Sequence, residues 1–379
     1  MALTLQKFLI IILSEILVAV LVALIFAFLF WQRRRLRPTQ RCAASSDALR
    51  PQRWAQRFTH NQVKTATSNF RHKLGSGGFG TVFKGTLPDG TLVAVKKLES
   101  SKQCEKQFRA EINSVGIINH ANLVRLRGFC AQGSRRLLVY DYMPNGSLNS
   151  FLFTNNSKHQ SKILDWRTRF EIALGTARGL LYLHEQCSDR IIHGDIKPEN
   201  ILLDKDFIPK LGDFGLAKLV GRDFSKVVTA TRGTRGYLAP EWLSGLPITP
   251  KVDVYSFGMT LLEIISGRRN LDLNVQESSR YYFPAWVKEQ ICERNMINIV
   301  DKRIASDADV EEVRRSALVS LLCIQNDEKA RPNMAQVVLM LQGKTEPHAS
   351  QIPSVTNQRV EDRRNTDGDG DYSDTDCIV

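Results

Sequence analysis

The most chemically loaded stretch of the sequence is His193-Gly-Asp195-Ile-Lys197-Pro-Glu-Asn200, and Asp213-Phe-Gly215 follows thirteen residues after Asn200. Asp195 can accept or orient the proton of an attacking hydroxyl. Lys197 can neutralise charge on a transferring phosphoryl group. Asn200 supplies a neutral oxygen and Asp213 a carboxylate. A hard, oxygen-loving cation such as Mg²⁺ takes ligands of these types and keeps waters for its other positions. Phosphoryl transfer asks mainly for positioning and charge neutralisation. This set offers both.

Two further groups fit the same chemistry. Gly75-Ser-Gly77-Gly-Phe-Gly80 follows Leu74 and precedes the β-type run Thr81–Phe83. Alone, a G-x-G-x-x-G pattern is weak, and its common other meaning is a dinucleotide fold, in which the glycines open a helix. Here they lie between two strand-like runs, which suits a flap over phosphates that the backbone must approach closely. Sixteen residues beyond Gly80 stands Lys96, ending Val93-Ala94-Val95. A lysine there is usually a solvated strand end. With the flap before it and a helical segment after it, Lys96 can reach α- and β-phosphates if a carboxylate steadies it, and Glu111 is the candidate. Ala239-Pro-Glu241 closes the segment that Asp213 opens.

The elements that must position these residues can be read coarsely. Thr81–Phe83 and Leu92–Val95 are strands joined through the turn Leu87-Pro-Asp-Gly90. Leu123–Phe129 and Arg136–Tyr142 form a second pair joined near Gln132-Gly133, and Phe108–Ile118 has helical spacing. Past Gly146 the pattern is helical. Asp165 caps a helix with Trp166, Phe170, Ala173, Leu174, Ala177 and Leu181 on one face. Val254–Ile265, ended by Gly267, is apolar nearly all round, as a buried central helix would be. Met334–Leu341 is a last helix. The outcome is a small β-rich lobe followed by a larger α-rich one, without internal repeats.

Of 379 residues, 43% are apolar and 24% charged, ordinary globular material. The net charge of +13 is partly concentrated: eight arginines and one acid, Asp47, lie between Gln32 and Arg57. That stretch directly follows Phe8–Trp31, apolar but for Ser14 and Glu15. A helix over residues 8–31 would be about 36 Å long, enough to cross a hydrocarbon core of about 30 Å. A cleaved signal peptide would have a shorter apolar region and a cleavage site. Arg33-Arg34-Arg35 beside Trp31 puts the following chain on the cytoplasmic side. The basic stretch then reads as a juxtamembrane segment facing anionic lipid, rather than as a nucleic-acid arm. Seven scattered cysteines without a C-x-x-C pair argue against a disulfide framework or zinc site; Cys42 is a palmitoylation candidate.

From about Gly343 the periodicity is lost and the chain ends in an acidic run from Asp367 to Asp376 that reads as disordered. Tyr372 and Ile378 at the sixth and twelfth places exclude an EF-hand loop. Cys377-Ile-Val is one residue short of a prenylation box.

From about Phe58 to Leu341 the chain resembles the eukaryotic protein kinase fold. The motifs Phe58-Thr-His, Ala66-Thr-Ser-Asn-Phe70, Leu138-Val-Tyr-Asp-Tyr-Met-Pro-Asn-Gly-Ser-Leu148 and Gly236-Tyr-Leu-Ala-Pro-Glu-Trp242 are similar to those of plant receptor-like kinases. Ile191-Ile-His-Gly-Asp-Ile-Lys-Pro-Glu-Asn200 is similar to the G-type lectin S-receptor-like group. The resemblance implies a bilobal α+β domain over 58–343. Before it come a short terminus (1–7), one transmembrane helix (8–31) and a basic linker (32–57); after it comes an acidic tail (344–379). It implies ATP-dependent phosphorylation of protein serines and threonines, with Mg²⁺ or alternatively Mn²⁺, at the plasma membrane and beside other receptor kinases, without nucleic acid.

Residue by residue, the resemblance makes Asp195 and Lys197 catalytic and Asn200 and Asp213 metal ligands. It makes Leu74, Gly75, Gly77, Gly80, Lys96 and Glu111 part of the nucleotide site. Tyr140 becomes the gatekeeper, with Asp141 and Met143 offering backbone bonds to adenine and Val82, Ala94 and Leu202 sandwiching the ring. Asp253 would anchor the catalytic loop, and Arg331 would pair with Glu241. Lys197 and Thr234 point to serine/threonine specificity. Thr234 has the place of a structural hydroxyl, leaving Ser225, Thr229 and Thr231 as candidate phosphorylation sites.

Two departures stand out. Gly194 occupies the position where many kinases have an arginine that binds an activation-segment phosphate, so activation should depend less on such a phosphate. About seven residues precede the apolar run, so the group's lectin-like ectodomain is not represented in them; either the chain works through partner receptors or the sequence is a piece of a longer receptor. A catalytically dead scaffold is disfavoured because Lys96, Asp195 and Asp213 are all present. A mere binding module recruited through its basic segment and acidic tail would leave them unexplained. Asn145-Gly-Ser147 and Asn155-Asn-Ser157 match the glycosylation pattern, and sugar at either would overturn the cytoplasmic orientation.

Overall fold

The computed structural model describes residues 55–77, 80–99, 102–116, 118–153, 163–220, 227, 232–271, 283–293 and 295–347. The apolar run 8–31, the arginine-rich stretch to residue 54, Phe79, Asn155, Ser225, Thr229, Thr231 and the tail from residue 348 lie outside them. No helix among the described residues is long and apolar enough to cross a membrane.

The first lobe is a six-stranded sheet. Its strands are β1 (Gln56–Arg57), β2 (Lys73–Gly77), β3 (Gly80–Thr86), β4 (Leu92–Lys97), β5 (Leu126–Gln132) and β6 (Arg135–Asp141), in the order β1-β5-β6-β4-β3-β2. Alternation along β4 explains both faces. Val93 and Val95 are fully buried on one side, and Ala94 and Lys96 turn to the other. The Val93 face packs on Cys130, Leu137, Val139, Phe58 and Val63. The opposite face receives the helix α2 (Lys102–Val115).

Val63 belongs to α1 (His60–Ala66), a helix that apolar periodicity does not announce because only that residue is buried. Its signal is the capping box Thr59-x-x-Gln62. The Thr59 hydroxyl accepts the Gln62 N–H at 3.3 Å, and the Gln62 side chain accepts the Thr59 N–H at 2.8 Å. β1 is equally silent in sequence. Gln56 and Arg57 end the expected linker, yet they pair in parallel with Gly128 and Phe129 of β5.

Other boundaries shift for visible reasons. α2 begins six residues before the expected Phe108, since Lys102–Gln107 is polar and shows no apolar spacing. The run Leu123–Phe129 divides. Leu123 and Val124 bond instead to Leu211 in the second lobe, and the sheet strand starts at Leu126.

The second lobe is helical. After the short α3 (Asn149–Leu152) comes α4 (Trp166–Leu181), whose Asp165 cap accepts the Thr168 N–H at 2.8 Å. Two small ladders follow, β8 (Ile201–Leu203) with β9 (Pro209–Leu211), and β7 (Arg190–Ile192) with β10 (Lys218–Val220). The remaining helices are α5 (Pro240–Leu243), α6 (Lys251–Ser266), α7 (Phe283–Cys292), α8 (Val310–Cys323) and α9 (Met334–Leu341). Every residue of α6 after Lys251 is buried, as its all-round apolar pattern requires. Arg331 is fully buried and meets Glu241 through two bonds of 2.7 Å, the fork geometry that suits arginine and carboxylate.

Candidate active site

Lys96 is the next-to-last residue of β4. Its ammonium lies 2.8 Å from Glu111 of α2 and 2.7 Å from Asp213. Burial alone would lower this ammonium, but the two carboxylates outweigh it and hold it well above the usual lysine range. For Asp213 burial works upward and Lys96 outweighs it, so the carboxyl lies below its usual range. The Lys96–Asp213 bond was not expected from the sequence. Asp213 stands at φ 60°, a left-handed conformation that aspartate enters more readily than most residues.

Glu111 has two more partners. Gln107, one helical turn earlier, donates to it at 3.3 Å, and the Tyr140 hydroxyl donates to its other oxygen in a short bond. Burial, joined by the negative charge of Glu111, pushes the Tyr140 phenol well up. Tyr140, the expected gatekeeper, is thus tied to the residue that pairs with Lys96. Tyr140→Phe should cost about 1–3 kcal/mol by leaving a buried carboxylate oxygen without its donor. A shift in the urea midpoint at unchanged m-value checks this.

The catalytic-loop candidates are held from below. Asp253 of α6 accepts the N–H groups of His193 and Gly194 at 2.8 Å each and bonds His184 Nε2 at 2.9 Å. Burial would raise its carboxyl, but these donors pull it below the usual range. Gly194 adopts φ 80°, and a Cβ there would come within 3.1 Å of Trp242 and 3.3 Å of the Leu216 carbonyl. Any side chain at this position must accept both strain and a tight fit.

On this platform Asp195 gathers three donors. One oxygen accepts the Thr234 hydroxyl at 2.7 Å; the other accepts Lys197 at 2.8 Å and the Asn200 amide at 3.0 Å. Lys197 also donates to Thr234 at 2.6 Å. Thr234 therefore bridges the carboxylate and the ammonium, a closer involvement than a purely structural hydroxyl. The Asn200 amide nitrogen is bound to both Asp195 carbonyl and carboxylate, which turns its oxygen away from them. A neutral amide oxygen and a carboxylate, Asn200 and Asp213, fit a hard divalent cation.

The remaining nucleotide-site candidates lie on the strands of the first lobe, just after β6 and on β8. β2 and β3 form the glycine flap. A Cβ at Gly75 or Gly77 would meet nothing within 4 Å, so the chain's own packing does not demand glycine there. Gly80 differs: at φ 124° a Cβ would lie 2.2 Å from the Lys97 carbonyl. Leu74 is exposed beside the flap; Val82, Ala94 and Leu202 are half-buried on β3, β4 and β8. In the connection after β6, the Asp141 N–H is used by Arg125 and the Met143 carbonyl by Gly146. The Asp141 carboxylate pairs with Arg127.

A buried acid lies beside this site. Glu263 of α6 accepts the Tyr237 hydroxyl at 2.8 Å and the Asn270 N–H at 2.8 Å. Burial raises its carboxyl from the ordinary 4.5 to about 8. Between those values the folded chain carries a proton that the unfolded chain has lost, so stability falls as pH rises through this window. Glu263→Gln should remove that slope. Its stability advantage over the parent should grow by up to about 1.4 kcal/mol per pH unit between 4.5 and 8, measurable as urea midpoints across pH.

The fold and this constellation together define a protein kinase domain. Residues 68–340 match the protein kinase domain family model, and the chain belongs to that family. It is similar to two G-type lectin S-receptor-like serine/threonine-protein kinases of Arabidopsis thaliana. One is 57% identical over 78% of this chain and 36% of the relative; the other is 55% identical over 76% and 37%. A rust resistance kinase of Triticum aestivum is 46% identical over 76% of this chain and 45% of its own length. The chain thus spans little more than a third of these Arabidopsis relatives.

Proposed function

We propose that this chain is a membrane-anchored serine/threonine protein kinase that transfers the γ-phosphate of ATP to protein hydroxyls. The observation that carries the reading is the bridge Asp195–Thr234–Lys197, all within 2.8 Å contacts, together with the Lys96–Glu111–Asp213 set. Asp195 would orient the acceptor hydroxyl and take its proton; Lys197 would neutralise the transferring phosphate; Lys96 would hold the α- and β-phosphates. The Asp141 carbonyl and Met143 N–H would meet adenine, with Val82, Ala94 and Leu202 on its faces and Leu74, Gly75, Gly77 and Gly80 above the phosphates. Asn200 and Asp213 would hold Mg²⁺, which when bound neutralises phosphate charge. Residues 8–31 would anchor the chain, with 58–343 as the cytoplasmic kinase domain.

The test is ³²P transfer by the full chain, in detergent, from Mg²⁺-ATP to itself and to a generic basic protein. Labelled phosphoserine or phosphothreonine supports the reading. ATP binding without transfer by a folded chain would replace it with the scaffold reading. Because Gly194 offers no cation for an activation-segment phosphate, Thr229→Ala with Thr231→Ala should leave at least about a tenth of the activity, since no charge-assisted contact to such a phosphate is lost there. Abolished activity that acidic substitutes restore would overturn that expectation.

A further inference from the structure

Between Asp47 and Asp89 the sequence holds seven lysines and arginines and no acid. The fold gathers part of that run with cations from elsewhere. β1 lies beside β5, the β5–β6 hairpin carries Arg135 opposite Gln132, and the Gln132 side chain accepts the His60 N–H at 2.8 Å. This ties the start of α1 to the hairpin. The His60 ring lies 6.0 Å from the Phe70 ring, over which the Lys97 ammonium sits at 5.1 Å, and Lys64 is one turn of α1 beyond His60, so these charges share one neighbourhood; the His60 imidazole is held below its usual range by burial and then by Arg135, Lys64 and Lys97. Arg57 of β1 and Arg135 of β6 both lie near Cys130 of β5, the strand between them.

Arg57, Lys64, Lys97 and Arg135 are all exposed, and none forms an ion pair among the described residues. Arg136, next in the chain, points to Glu105 instead. Ordinary protein surfaces intersperse both signs of charge; a one-sign face attracts a polyanion.

We propose that this face, Arg57, Lys64, Lys97 and Arg135, rests on the anionic phospholipid surface of the membrane and so orients the kinase domain on it. The inference builds on the membrane reading above. Arg57 follows Trp31 by twenty-six residues, so if residues 8–31 span the bilayer the face stays within about 90 Å of it. A tethered surface is met at high effective concentration. The basic stretch 32–57 runs directly into Arg57 and Lys64 of this face, and the fold adds Lys97 and Arg135 to them; this continuity with the segment next to the apolar run favours the bilayer over a free acidic partner.

The test uses the full chain in nanodiscs of phosphatidylcholine, or of phosphatidylcholine and phosphatidylserine at about 7:3. Lysine acylation rates are read residue by residue by mass spectrometry. Lys64 and Lys97 should react about fivefold more slowly with phosphatidylserine present, as expected for a basic side chain at a charged surface. The exposed Lys302 and Lys329 of the helical lobe should not change. High salt should abolish the protection, as should Arg57→Glu with Arg135→Glu; the salt arm serves if that variant does not fold. Equal rates in both disc types would overturn the proposal. So would protection that persists without phosphatidylserine and disappears on removing residues 348–379, because the acidic tail would then be the occupant. A chain that does not remain with the discs would overturn the membrane reading itself.

Discussion

Asp195→Asn should lower phosphate transfer by roughly 10²–10⁴-fold, the usual weight of a positioned general base, while the chain still folds and binds ATP. The replacement keeps the shape of a side chain that accepts bonds from Thr234, Lys197 and Asn200. It removes the negative charge that would take the acceptor proton. Single-turnover ³²P transfer together with nucleotide titration separates the two effects. A change confined to KM for ATP would mean that Asp195 only shapes the nucleotide site. Retention of most of the rate would remove it from the chemistry altogether.

The second large effect lies deeper. Asp253→Ala should destabilise the chain by about 3–5 kcal/mol, the range for breaking a buried charged network by removing one partner. It should also reduce activity in the fraction that remains folded. Two backbone N–H groups and the His184 ring would lose their acceptor, and the two N–H groups belong to the residues immediately before Asp195. Because the Asp253 carboxyl is held below its ordinary value, this contribution is present at neutral pH and disappears as acid protonates it. Urea unfolding at pH 7 and at low pH should therefore show the gap between parent and variant closing. A gap independent of pH would mean that packing, rather than the charge, sets the cost.

Much of the site was legible because its chemistry is local in sequence. Asp195, Lys197 and Asn200 lie within six residues, and the structure brings them to one carboxylate. Gly80 is required by something the motif did not announce, the close approach of the chain's own Lys97 carbonyl. The caps at Asp165 and the apolar length of α6 were equally plain, since hydrogen bonding over three residues and all-round burial leave direct marks on residue type.

What the chain alone could not disclose are contacts whose partners lie far apart. Lys96 meets Asp213 across 117 positions, and Tyr140 reaches Glu111 across 29. A tyrosine in a buried strand carries no sign of which acid it will bond. β1 and α1 were hidden for a related reason. Gln56 and Arg57 are polar, and their place is decided by an open edge on β5 that exists only once the sheet has formed. Residue types and short spacings therefore determined the candidate groups and the two-lobed class. Only tertiary structure decided how a carboxylate, an ammonium and a hydroxyl share protons, because hydrogen bonding and burial depend on distance in space rather than along the chain.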